Sequence, residues 1–123
     1  MRMWMVNPKL LCQRHLLSEH CDIHRFISSV RVGHDVRRCL IRAMIDPSKV
    51  YQRHAELEEE IAERGGRLNS PLLASECNAY AKWYGSTTIN ISRSLSDLSN
   101  CCIDCQSRIG KFIYIAFNTD YGV

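Results

Sequence analysis

The chain has no apolar run approaching the roughly 18 residues that a membrane-spanning helix needs. Its amino terminus also lacks the continuous apolar stretch and small-residue cleavage site of a signal peptide. A cytoplasmic protein with no membrane partner is therefore expected. There is no internal repeat and no low-complexity tract. The seven cysteines are an odd number, and without an export signal they read as reduced thiols rather than a disulfide framework. One C-x-x-C occurs, within Cys101-Cys102-Ile103-Asp104-Cys105, but no second one follows. Alone it is half a zinc site, and the missing pair would have to come from elsewhere, such as Cys21 with His20 or His24. On that count no metal and no cofactor are assigned. The βαβ surroundings of a thioredoxin-like motif are absent as well.

What is present fits one modest domain over residues 1–123. The 123 residues can bury a single core, and 46% hydrophobic with 24% charged residues is ordinary for a globular chain. The net charge of +3 hides an asymmetry: residues 1–55 carry ten Lys/Arg against four Asp/Glu, and residues 56–123 carry six against nine. The cations of the first half are mostly arginines (Arg14, Arg25, Arg31, Arg37, Arg38, Arg42), which suits salt-sensitive binding to a phosphate backbone. An ordinary charged surface is the alternative.

Periodicity and capping predict an all-α, single compact three-helix domain with an N-terminal arm packed back along the first helix. Asn7-Pro8 pairs an N-cap with a first-position proline, opening a helix to about Val30. Asp46-Pro47 repeats the device for a helix to about Arg64, closed by Gly65-Gly66. The five glutamates from Glu56 to Glu63 read as a solvated face. Arg67 to Thr88 reads as a long connection folded over the core, with Trp83 and Tyr84 as core fillers and base stacking as their alternative role. A third helix is expected from about Ile89 to Ile109, with Ile91, Leu95, Leu98 and Cys102 inward and Gly110 ending it. The tail from Lys111 to Phe117 has a strand-like pattern.

The first predicted helix carries the chemistry. Cys12, Leu16, Ile23, Ile27 and Val30 form one apolar stripe at about 100° per residue. His15, Glu19 and Asp22 border it, and Arg14, Ser18, Cys21 and Arg25 lie beside them. A carboxylate at such a border is partly desolvated and has a cation one turn away, a setting for acid/base or electrostatic work; a salt-bridged surface helix gives the same pattern. From Pro8 to Asp22 the helix would span roughly 21 Å. Met1 to Asn7 covers roughly 20 Å when extended, so an arm folded back would bring the Met1 amine to Asp22. Initiator methionine is normally removed only before a small residue, and Arg2 is large, so Met1 is expected to stay. An α-amine has a reference pKa of about 8 against about 10.4 for lysine, so near neutrality far more of it is free to attack an electrophilic carbon.

These residues resemble the phage-type pyrimidine-dimer DNA glycosylases, the phage endonuclease V family, with their small bacterial relatives. The likeness rests on Leu11-x-x-x-His15-Leu16-x-x-Glu19-x-x-Asp22-Ile23-x-Arg25 and on Arg53-x-x-Glu56-Leu57-x-x-Glu60-x-x-x-Arg64-Gly65. It covers most of the chain and is weak between residues 70 and 90. The resemblance implies an all-helical, metal-free monomer that cuts the glycosyl bond of damaged double-stranded DNA and then the backbone, through an imine between its N-terminal amine and the sugar C1′. Met1 falls at the nucleophile and Asp22 at the catalytic glutamate, one methylene shorter. Misplacement on that scale can cost on the order of 100-fold in rate. Arg2 matches the arginine that follows the nucleophile and Arg25 a DNA-contacting arginine of the first helix, while Cys21 falls where another DNA-contacting arginine is expected. Met1 and Asp22 make the expected catalytic pair, with Arg2, Arg25, His15 and Arg14 as the expected DNA-binding set. Two alternatives stand beside a glycosylase with AP lyase activity: a DNA-binding relative without catalysis, and a small cysteine-rich metal-binding domain.

Overall fold

Helix boundaries in this chain are set by caps that differ in part from those the periodicity picks out. The computed structural model describes residues 1–68 and 70–121, with residues 114–121 as backbone only. Asn7-Pro8 opens just a 3-10 turn, Pro8–Leu10, in which the Asn7 side chain accepts the Lys9 N–H at 3.0 Å. Leu11 and Cys12 are then extended, and the Cys12 sulfur caps α1 (Gln13–Arg31) by accepting the His15 N–H. The long helix therefore begins at Gln13 rather than Pro8.

Gly33, at φ +82°, turns the chain out of α1 towards the short helix α2 (Arg37–Ile41). Asp46 caps a second 3-10 turn, Pro47–Lys49, which runs into α3 (Val50–Glu63). Helix α3 ends at Gly65 in the left-handed conformation, as the Gly-Gly pair predicts. The same Asp46 carboxylate accepts the Thr87 N–H at 3.2 Å, tying the start of α3 to the far end of the next helix.

Six α-helices replace the expected three among the described residues, and no strand occurs there. The stretch expected as a connection contains α4 (Ala74–Tyr84), terminated by Gly85 at φ +74°. The expected third helix is split. Helix α5 (Ile91–Cys101) stops where Cys102 turns extended, at φ −141° and ψ 112°, and α6 (Ile103–Tyr121) restarts at once. Gly110 lies inside α6 rather than ending it, and the strand-like tail is helical. With no sheet edge to join among the described residues, a helix is the local way to satisfy that backbone.

The core is a joint product of the arm and five helices, with Cys105 and Ile109 of α6 among its buried residues. Leu16, Ile23, Ile27 and Val30 of α1 are buried as the stripe predicts, and Phe26 joins them. Val50, Leu57 and Ile61 face them from α3, Cys77 from α4, and Leu98 from α5, with Met3 and Val6 of the arm fully covered. Three expectations fail at its edges. Ile91 is half exposed, because Ser94 and Leu98 are the residues α5 turns inward. Trp83 is 75% exposed, whereas Tyr84 packs edge-on against Phe26. The α3 glutamates are not all solvated: Glu60 is buried between Arg64 and Lys9. No described helix is long and apolar enough to cross a membrane.

Inside this core lies an ion pair. Glu19, with no exposed surface, meets Arg53, 2% exposed, through two hydrogen bonds of 2.5 and 3.0 Å. Breaking a buried pair leaves an uncompensated charge, which costs about 3–5 kcal/mol. Glu19→Ala should therefore lower unfolding stability by that amount in a denaturant titration. Glu19→Gln, which keeps an acceptor for the guanidinium, should cost less.

Candidate functional site

The amino-terminal arm reaches α1 because it is fastened at several separate points. The Met3 N–H donates to the Met44 carbonyl at 2.7 Å, and the Val6 carbonyl accepts from Arg53 at 2.7 Å. Met5 takes a positive φ of 60°, which bends the arm between these anchors. The result brings the arm to Asp22: the Arg2 backbone N–H donates to Asp22 Oδ2 at 3.1 Å. The Met1 amine is two bonds beyond the peptide carbon, at most about 3.7 Å from the Arg2 nitrogen. It therefore lies within about 7 Å of the Asp22 carboxylate.

Asp22 is about one-fifth exposed, so it is neither sealed nor freely solvated. Its other oxygen is 3.8 Å from Arg25, whose side chain is largely in solvent. Glu19, its neighbour one turn back, is closed off by Arg53 and offers no accessible oxygen. The structure thus separates two carboxylates that the helical pattern leaves side by side.

Arg2 is committed within the protein. Its guanidinium pairs with Asp97 of α5 at 2.9 Å and stacks over Trp4, 3.9 Å from the ring centroid. It also lines a cleft of about 590 Å³, with Arg42, Met44, Asn90, Arg93 and Ser94 among the other walls. Three guanidinium groups thus line one cleft, two of them beside the same carboxylate: Asp97 is 2.9 Å from Arg2 and 4.0 Å from Arg93. The Ser94 hydroxyl in its wall is fully buried and has no hydrogen-bond partner. Arg93, Ser94 and Asp97 were invisible as site residues in the sequence. The one available signal was a small polar residue, Ser94, on the i−4 position of the Leu98 stripe. Other basic residues of the first half are occupied: Arg31 by Glu76 and Arg37 by Asp35.

His15 and Arg14, expected on a DNA-facing stripe, both lie beside cysteine sulfurs. His15 Nδ1 is 3.2 Å from Cys12 Sγ and 3.5 Å from Cys105 Sγ, and Arg14 is 3.9 Å from Cys102 Sγ. The partner of the C-x-x-C is thus Cys12-x-x-His15, not Cys21 with His20 or His24. These four residues could hold a metal ion, as could a second group on the other side of α1, His20, His24 and His54. In that second group Glu58 accepts from His20 at 3.1 Å and its carboxylate lies 3.2 Å from His54 Nε2, while His24 and His54 meet through their Nε2 atoms at 3.0 Å.

Burial pushes His24 and His54 below the ordinary histidine range, further lowered by His20 and partly offset by the Glu58 charge. The folded form therefore refuses protons that the unfolded chain accepts. Stability from this source is complete above the unfolded pKa of about 6.5 and is lost as the pH falls below it. Thermal unfolding followed from pH 8 to pH 5 should show a falling melting temperature below about pH 6.5. His54→Gln should flatten that slope, whatever it does to the melting temperature at pH 8.

A family model described as pyrimidine dimer DNA glycosylase matches residues 1–74. That span holds the arm, Asp22, Arg25 and the Glu19–Arg53 pair, and it stops at the start of α4. No curated protein and no solved structure matches the chain.

Proposed function

Because the chain belongs to the pyrimidine dimer DNA glycosylase family, we propose that it excises damaged pyrimidines from duplex DNA and then opens the backbone, with the Met1 amine as nucleophile and Asp22 as its carboxylate. The observation that carries this reading is the 3.1 Å hydrogen bond from the Arg2 N–H to Asp22.

The neutral amine adds to C1′ of the lesion nucleotide, and the glycosyl bond breaks as the base leaves. The sugar ring then opens, its O4′ takes a proton, and the nitrogen and C1′ are joined as a protonated imine. Loss of a C2′ proton expels the 3′ phosphate, which is the β-elimination step, and water finally releases the amine. Asp22 sits where its negative charge favours the cationic imine over the neutral amine. The protein must also expose the lesion sugar, at a cost that is lowest where damage has weakened stacking. The cleft lined by Arg2, Arg42 and Arg93 suits the phosphates beside that sugar. We read the chain as acting on double-stranded DNA as a monomer.

Borohydride reduction in the presence of duplex DNA carrying an abasic site should yield a covalent adduct through Met1. Acetylating the Met1 amine, or placing one residue before it, should abolish the adduct with little effect on folding. An adduct that maps to Lys9 or Lys49 overturns the assignment. Asp22→Asn should slow turnover by about 100-fold or more. Its amide oxygen still accepts the Arg2 N–H, so DNA affinity should hold. Asp22→Glu should keep or raise activity. Retained affinity with no adduct from the unmodified protein would favour a DNA-binding relative without catalysis.

Arg25 is the cleaner probe of duplex binding, since Arg2 also serves the fold. Arg25→Ala should weaken binding to damaged and undamaged duplex alike, and flatten the plot of log affinity against log salt by about one unit. Its melting temperature should barely change, because an exposed ion pair contributes little. A large loss of stability with an unchanged salt slope would make Arg25 a structural partner of Asp22.

A further inference from the structure

Two helices of this protein begin in the same unusual way and point at the same place. Cys12 is an extended residue that precedes α1, and His15 lies in the first turn of that helix. Cys102 is an extended residue that precedes α6, and Cys105 lies in the first turn there. Serine, threonine, aspartate and asparagine are the favoured caps, and cysteine is not among them. Two cysteine caps, each followed by a cysteine or histidine three residues on, call for a reason other than helix initiation.

The geometry points to a bound zinc ion: we propose that Cys12, His15, Cys102 and Cys105 form a closed, four-coordinate structural zinc site. Their ligand atoms all lie within 4.8 Å of one another. A tetrahedron with ordinary Zn–S and Zn–N bonds has edges of about 3.8 Å between sulfurs and about 3.5 Å between sulfur and nitrogen. The observed separations are 3.8 Å for Cys12–Cys102, 3.2 Å for Cys12–His15 and 3.5 Å for Cys105–His15. An iron–sulfur cube spreads its four ligands over four irons, too far apart for this cluster.

The surroundings suit thiolates. Three thiols must lose their protons to the solvent when the ion enters, leaving a centre with one net negative charge. The Cys12 backbone N–H donates to Cys105 Sγ at 3.3 Å, and the His15 N–H to Cys12 Sγ at 3.5 Å. The positive ends of α1 and α6 both face the sulfurs. Arg14, 3.9 Å from Cys102 Sγ, supplies a full positive charge. The three cysteines are buried, leaving no open position of the kind a catalytic zinc keeps. His15 enters through Nδ1, so its proton sits on Nε2, and its ring is held edge-on against Trp4. The site would fasten α5 and α6, beyond residue 74, to the start of α1. It would also set the height at which Arg93 and Ser94 stand in the wall of the cleft and at which Asp97 meets Arg2.

The test is metal analysis of the full chain purified from zinc-supplemented cells, which needs no assay of activity. About one zinc per chain is expected. Removing it with a chelator should lower the melting temperature by on the order of 10 °C. Cobalt(II) in its place should give the intense visible bands of a tetrahedral, thiolate-rich centre. Cys102→Ser with Cys105→Ser should lose the metal, as should His15→Ala, while His15→Cys and His54→Gln should keep it. If the double variant fails to fold, the cobalt spectrum of the unmodified chain still decides. Zinc-free protein with all seven thiols titrating would overturn the proposal, as would a Cys102–Cys105 disulfide. So would zinc that survives the cysteine variants and leaves with His54→Gln.

Discussion

One guanidinium holds this architecture in register. Arg53 projects from α3 into the core, where it takes both oxygens of Glu19 on α1 and the Val6 carbonyl of the arm. A charge so deeply buried is tolerated only because each of these acceptors is in place. The converse also holds: the arm, α1 and α3 can adopt only the arrangement in which they meet at Arg53. Asp22 lies one turn along α1 from Glu19, and the amino terminus lies six residues before Asn7. Fixing Val6 against α1 at Glu19 therefore fixes how far along that helix the arm can run.

Local signals in the sequence recovered local features. The apolar stripe of α1, the Asp46-Pro47 start and the Gly65 stop all depend on residues within a turn or two of each other, and all are found. So is the approach of the arm to Asp22, because chain length alone bounds it. What was illegible depends on partners far along the chain. Glu19 and Asp22 look alike on a helical wheel; only Arg53, 34 positions away, seals one and leaves the other open. Cys12 and His15 form half a cluster whose other half lies 90 positions on. The false helix start at Asn7-Pro8 has the same origin. The local cap is real, but the extended Leu11-Cys12 that follows serves the core and the sulfur cluster. Helix α4 was missed for a different reason: its polar and small residues carry little periodicity, and Gly85 marks only its end.

The chain divides along its charge asymmetry. The basic half contains the arm, α1 and most of the arginines, and it lies wholly within the span that matches the glycosylase family, which runs on through the glutamates of α3. The acidic half contributes counter-charges to it. Asp97 holds Arg2, Glu76 holds Arg31, and Glu58 satisfies His20 and His54. Such carboxylates stabilise the arginines in set positions, and exposed ones such as Asp97 can yield to a phosphate. A cation already oriented by a weak, partly solvated partner loses less freedom on binding than a mobile one.

The shortened carboxylate at Asp22 bears on how the proposed site works. On the proposed reading, in which Asp22 stands where the resemblance implies a glutamate, the charge is withdrawn by a methylene, more than 1 Å of reach, which on a rigid frame would open a gap. Here the arm closes on the carboxylate, since the Arg2 N–H reaches Asp22 directly. Three anchors bring it there: Arg53 at Val6, Met44 at Met3, and Asp97 with Trp4 at Arg2. Two of the three, Arg53 and Met44, lie within the family-matched span; the third draws on α5, outside it. The geometry at Asp22 thus depends on a helix that the family model does not cover. In the proposed site, the packing of that helix against the start of α1, where Cys102 meets Cys12, would therefore help to hold Arg2 and the amine before it.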